Sequence, residues 1–169
     1  MGTLRRKLAG DPSKATVKAK DPEAARIAAV SLLARRDFAS GKLRQKLGSH
    51  GYDASVAAGV VAALLAERAL DDVRYAENYV MYHAGRGQGP IRIASDLRAL
   101  GIPAELIEAA LASGPDWRAL AREVRARKFG GESPEEWKER TRQARFLQYR
   151  GFSSDHIRAA TGADFDPDS

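Results

Sequence analysis

Leu47, Leu97 and Leu147 stand fifty residues apart, and so do Gly51, Gly101 and Gly151. The residue after each glycine is apolar: Tyr52, Ile102 and Phe152. Ala57, Ile107 and Ile157 follow in the same register, then Val60, Ala110 and Ala160. Five residues before each leucine stands a cation: Lys42, Arg92 and Arg142. Each copy reads basic–x4–Leu–x3–Gly–apolar–x4–apolar. A fixed period of this length marks an array in which each unit packs on its neighbours. Such arrays present a long surface to a macromolecule more readily than a pocket to a small substrate.

Three units of about fifty residues fill most of a 169-residue chain and spread its core along the array. The chain has no cysteine, which excludes disulfides and thiolate metal sites. Met1–Gly10 is basic with no apolar run behind it, unlike a secretory signal. The longest apolar-rich run, Val56–Ala66, is about half the roughly 20 residues that span a bilayer. A soluble cytoplasmic protein, off the membrane, is expected. The net charge is +6, unevenly placed. Arg5, Arg6, Lys7, Lys14, Lys18 and Lys20 face only Asp11 within residues 1–20, so most of the excess sits in this arm. A second basic stretch is 116–150, and the chain ends acidic. Basic arms of this kind favour polyanions, or simply solubilise.

The pattern predicts a disordered basic arm over 1–20, repeats over 21–70, 71–115 and 116–161, and an acidic tail over 162–169. Asp21-Pro22-Glu23 reads as a helix start, with Asp as cap and Pro where no intrahelical bond is lost. Ile27, Val30 and Leu33 then form one apolar face. Ser40 opens a helix carrying Leu43 and Leu47, and Asp53 opens a third, with Val56, Val60, Val61, Leu64 and Leu65 on one side. Asp71-Asp72, Pro90 and Pro103 open the helices of the second unit, and Asp116 opens the first of the third. Ser133-Pro134-Glu135-Glu136 has the form of a capping box, ahead of a long helix to Arg150. Gly151 stops it, and Ser153–Thr161 forms the last helix. Nine helices and no strand make the fold class all-α: three tandem three-helix repeats in an elongated array.

Catalytic chemistry has little to build on. His50, His83 and His156 are scattered, with no metal-ligand spacing. His156 shares its repeat position with Val56 and Leu106, which points to a packed, partly buried imidazole, and His83 ends an apolar face. The loop Gly85-Arg86-Gly87-Gln88-Gly89-Pro90 lacks the Gly-Lys-Ser/Thr of a phosphate loop and a strand before it. It reads as a helix–helix turn, with Arg86 as the residue able to meet an anion. No catalytic residue, metal or cofactor is expected.

The cations say more. Lys42 and Lys46 share a helix face. Arg118, Arg122 and Arg125 follow at spacings of four and three, and Lys138, Arg142 and Arg145 repeat that spacing on the next helix. Two readings stay open. One is a solvated face with local pairs such as Glu139 with Arg142. The other is an electrostatic footprint for DNA or an acidic protein groove.

Leu70-Asp71-Asp72-Val73-Arg74-Tyr75-Ala76, with Gly87-Gln88-Gly89-Pro90-Ile91-Arg92-Ile93 and Asp96-Leu97-Arg98, closely resembles the central signature of the RecX family, bacterial regulators of the RecA recombinase. Leu33-Ala34-Arg35-Arg36, Ser40 and Leu43–Leu47 resemble its first repeat, and Arg142–Phe152 its third. The likeness covers residues 24–161. Tyr75 stands where the family more often has Phe, Lys42 where Glu is common, and Tyr149 where a basic residue is common. The resemblance implies a curved array lodged in the groove of the RecA–DNA filament, opposing filament growth and lowering ATPase, strand-exchange and coprotease activities. RecA and its filament are then the expected partners, with weak single- or double-stranded DNA binding beside them and no small-molecule substrate. Arg35, Arg36, Arg86, Arg92, Arg98 and Arg142, near the repeat breaks, are the expected partner contacts. Lys42, Lys46, Arg118, Arg122, Arg125, Lys138 and Arg145 are the expected DNA contacts if the chain binds DNA directly.

Overall fold

The computed structural model describes residues 17–162. After a helical turn at 17–19, nine α-helices follow among the described residues. They are α1 (Pro22–Leu33), α2 (Ser40–Ser49), α3 (Ala54–Ala66), α4 (Asp72–Gly85), α5 (Pro90–Ala99), α6 (Ala104–Ala112), α7 (Trp117–Phe129), α8 (Trp137–Tyr149) and α9 (Ser154–Thr161). No strand occurs among the described residues. The chain divides into two compact units, one ending at Asp71 and the other starting at Asp72. In each set of three helices, the third packs against both the first and the second.

The repeated Leu-x3-Gly-apolar signature is a helix stop. Gly51, Gly101 and Gly151 have φ of 91°, 82° and 90°, a region that glycine enters without a Cβ clash. Their amides donate to Gly48, Arg98 and Gln148, each at 2.9 Å. The next amides, of Tyr52, Ile102 and Phe152, reach back to Leu47, Leu97 and Leu147 at 3.2, 3.1 and 3.1 Å. This is the Schellman arrangement, in which the apolar residue after the glycine packs on the leucine whose carbonyl it caps. All three leucines are fully buried, so one signature both ends the helix and seeds the core.

In the first unit, the Asp21 carboxylate accepts from the amides of Glu23 and Ala24 at 3.0 and 3.1 Å, ahead of Pro22. The core gathers Ala25, Ala29, Leu43, Leu47, Val60, Val61 and Leu64. Here the expected face of α1 is corrected. Ile27 and Val30 are 61% and 48% exposed, and the buried side is Ala25 and Ala29. The helix is apolar nearly all round, so spacing alone does not choose a side, and small residues let α1 approach α3 closely. The arm is also corrected at its end. Ala19 accepts from the Asp53 amide at 2.9 Å, and the Lys18 ammonium lies 5.8 Å from the Tyr52 ring centroid, so residues 17–20 belong to the first unit. The rest of the arm, 1–16, and the acidic stretch 163–169 lie outside the described residues.

In the second unit, the start of α5 docks on the end of α8. The Gly89 amide donates to the Arg150 carbonyl at 2.7 Å, and the Ile91 amide to the Gly151 carbonyl at 3.0 Å. A helix start has free amides and a helix end has free carbonyls, so each satisfies the other. No side chain caps α5, and Pro90 between the two donors has no N–H to satisfy. A Cβ on Gly89 would overlap the Gly151 carbonyl, and a Cβ on Gly151 would stand 2.7 Å from the Arg92 nitrogen. Both glycines are therefore required by close backbone approach.

The expected capping box at 133–136 does not form. Helix α8 begins at Trp137 with Glu136 as its cap and no side-chain cap bond. The preceding segment is held elsewhere. Arg140 Nε donates to the Pro134 carbonyl at 2.8 Å, and Arg125 donates to the carbonyls of Glu132 at 2.8 Å and Gly131 at 3.2 Å.

Candidate partner-binding surface

The buried face of α2 is Leu43 and Leu47, which turns Lys42 and Lys46 outward, and both are exposed. Arg35 and Arg36 lie in the turn after α1 and are exposed. The Arg36 guanidinium sits 4.5 Å from the Phe38 ring centroid, a cation–π contact that limits its motion and leaves its charge uncompensated. Arg26, by contrast, is spent on structure. It meets Glu67 through two bonds of 3.1 and 2.6 Å, which raise the arginine's pKa and lower the carboxylate's.

In the second unit, Arg86, Arg92 and Arg98 are exposed. Arg86 donates to the Tyr82 hydroxyl at 3.1 Å and lies over that ring. Arg92 packs its backbone on Gly151, so its side chain marks the α5–α8 junction. Arg142 is paired with Glu139 at 3.0 and 2.8 Å, which raises its pKa and holds the Glu139 carboxyl below its usual range. Arg118 is paired with Asp155 at 2.7 Å across α7 and α9, both more than half exposed, a contact that water weakens. Arg122, Lys138 and Arg145 are exposed.

Arg125 leaves the expected stripe. It is 4% exposed and, besides the two loop carbonyls, donates to Gln143 Oε1 at 3.2 Å. Gln143 holds the repeat position that Leu43 and Ile93 hold elsewhere, and it too is buried. Its Nε2 donates onward to Glu139 at 2.9 Å. The third repeat thus replaces a core aliphatic with a polar network that fastens the 131–134 loop. Spacing put Arg125 with Arg118 and Arg122, but it also lies four residues after buried Ala121, and that neighbour decides its side.

His156 and His83 do structural work. His156 Nδ1 stands 2.9 Å from Ser153 Oγ and accepts from the Ser153 amide at 3.3 Å, closing a capping box at α9. Burial chiefly holds its pKa down. The His83 ring stacks on Tyr79 with centroids 4.0 Å apart. Among the described residues, no group of three His, Asp or Glu could hold a metal ion. No helix among them is long and apolar enough to cross a membrane.

Comparison with known proteins then decides the family. The RecX third three-helix domain matches residues 116–161, and the RecX second three-helix domain matches residues 71–111. The regulatory protein RecX of Halorhodospira halophila is 46% identical over 142 residues, covering 83% of this chain and 88% of that protein. The regulatory protein RecX of Vibrio vulnificus is 41% identical, covering 78% and 87%. The chain belongs to the RecX family. In fold it matches the crystal structure of RecX from Lactobacillus salivarius with a TM-score of 0.69 at 23% identity, over 82% of this chain and 93% of that one.

Within this RecX member, the Gly87–Arg92 stretch serves repeat-to-repeat packing first. Of the positions that depart from the family pattern, Lys42 and Tyr149 face solvent, while Tyr75 is half-buried and stacks towards Tyr79 at 6.1 Å. Arg127, Lys128 and Arg150 are exposed or half-buried cations that lie outside both expected contact sets. With Arg86 they line one cleft. A signal for them existed. Lys128 lies four residues after Val124, so helix spacing puts the two on one face, and both line the cleft.

Proposed function

We propose that this chain is a non-enzymatic regulator that binds RecA, or the filament RecA forms on DNA. It opposes filament growth and lowers RecA's ATPase, strand-exchange and coprotease activities. The observation that carries this is 46% identity, over most of both chains, to a protein named regulatory protein RecX. The spread of exposed cations supports it. Arg35, Arg36 and Lys42 in the first unit and Arg86, Arg92 and Arg98 in the second give contacts over several repeats, suited to a partner made of repeating subunits. Arg142, already chelated by Glu139, contributes less. The polar groups that could serve catalysis are scattered or engaged in caps and stacking.

The second reading is direct binding to DNA. Exposed Arg122, Lys138 and Arg145 on α7 and α8 favour it, as does the cleft lined by Arg86, Arg127, Lys128 and Arg150. The test is RecA's single-strand-dependent ATPase, titrated with this protein near physiological salt with free DNA in excess. Inhibition well below one molecule per RecA supports the filament-directed regulator. No inhibition, or inhibition that vanishes as DNA is added, moves the function to the DNA-binding reading.

A further inference from the structure

The cleft between α7, α8 and the turn after α4 has a volume of about 210 Å³. Arg86, Arg127, Lys128 and Arg150 surround it, Gly87, Val124 and Phe146 complete it, and no carboxylate lines it. Arg127 meets Glu123 at 2.8 Å, but both are more than half exposed, so solvent screens that pair. The other contacts hold the cations in place without neutralising them. Arg150 donates to the Arg86 carbonyl at 3.4 Å and lies 5.4 Å from the Phe146 ring centroid. Arg86 is held by the Tyr82 hydroxyl and ring. A guanidinium has five N–H donors, so each keeps donors to spare. Gly87 keeps the floor open: its φ is +79°, and a Cβ there would press on Val124 at 3.1 Å and stand 4.0 Å from Arg150 Nη1.

We propose that this cleft seats one phosphate group of a DNA backbone. Arginine forks match the oxygens of a phosphate two at a time, and a tetrahedral anion accepts from several sides at once. A volume of about 210 Å³ falls below the roughly 300–1,000 Å³ of small-molecule sites, so the cleft takes a phosphate and leaves sugar and base outside. Exposed Arg122, Lys138 and Arg145 on the same two helices supply charge for neighbouring phosphates, which a DNA strand brings and an isolated carboxylate does not. The proposal rests on the reading that the protein binds DNA directly.

The experiment is fluorescence anisotropy of a labelled oligothymidine, titrated with the full chain over a salt series. Wild type is compared with Lys128→Gln and Arg150→Gln, each checked for helicity. The exposed Lys128 side chain makes no hydrogen bond or ion pair among the described residues, so its replacement tests the site without disturbing the fold. Each variant is expected to bind about three- to tenfold more weakly, with a salt dependence shallower by about one phosphate contact. Inorganic phosphate, at matched ionic strength, should displace DNA from wild type and lose that effect in Arg150→Gln. Unchanged affinity and salt slope in both variants overturn the seat. So does a loss of binding to DNA-free RecA with DNA binding intact, which would make the cleft a site for an acidic protein segment. The ATPase titration separates the two readings. A wild type that inhibits RecA but ignores the oligonucleotide removes the seat and leaves the regulator standing. One that binds DNA through the cleft without inhibiting RecA does the reverse.

Discussion

Gly89 and Gly151 touch backbone to backbone: the Gly89 amide bonds the carbonyl just before Gly151, and a Cβ on either would overlap the other repeat. This contact lets the end of α8 cap the start of α5. Gly151→Ala should destabilise the second unit by about 2–4 kcal/mol, combining overpacking with a positive φ, and Gly89→Ala should act in the same direction. Gly59, within α3, has nothing near its Cβ position, and Gly59→Ala should stabilise by up to about 1 kcal/mol. Urea midpoints of the three variants check this, and equal effects at Gly59 and Gly151 would refute it.

The buried pair Arg125–Gln143 makes a second prediction. Arg125→Ala strips two loop carbonyls and Gln143 of their donor and should cost on the order of 3 kcal/mol. The joint change Arg125→Met with Gln143→Leu restores an apolar core like that around Leu43 and should recover much of the loss. Chemical denaturation of the single and double variants measures the coupling.

His156 makes stability depend on pH. Its pKa is lowered from 6.5, first by burial, so the folded chain prefers the neutral ring that accepts from the Ser153 amide. The associated stability is present above about pH 6.5 and is lost as pH falls through the lowered folded-state value. Melting temperatures at pH 7.5 and 5.5 should differ less in His156→Gln than in wild type. An equal difference in both would show that the ring does not titrate with folding.

The regulatory reading predicts that Arg36→Glu combined with Arg98→Glu raises the half-inhibitory concentration against RecA ATPase on the order of tenfold. Circular dichroism should be unchanged, because both side chains are exposed. Full inhibition by the double variant would remove these cations from the contact surface.

Much of the helix map was legible because its signals are local. The Asp21-Pro22 start, the Pro90 start and the three glycine stops each involve atoms within about five residues. The capping box at 133–136 was misread for the same reason turned round. Its local pattern is sound, but Arg125 and Arg140 hold the loop carbonyls, and a competing partner overrides a weak local preference. The candidate surface was only half legible. Arg35, Arg36, Arg86, Arg92 and Arg98 are exposed as expected, but exposure cannot be read from charge, and Arg125 is the counterexample.

By itself, then, the sequence determined the repeat, the glycine helix stops, the leucine core positions and the family, since all of these lie in short patterns along the chain. Tertiary structure alone decided which side of α1 is buried, that Arg125 is a core residue, why Gly89 faces Gly151, and which cations share a cleft. Arg86 and Arg150 are 64 residues apart in sequence. Their meeting depends on how the end of α8 satisfies the free amides at the start of α5 in the preceding repeat, and no local spacing encodes that contact.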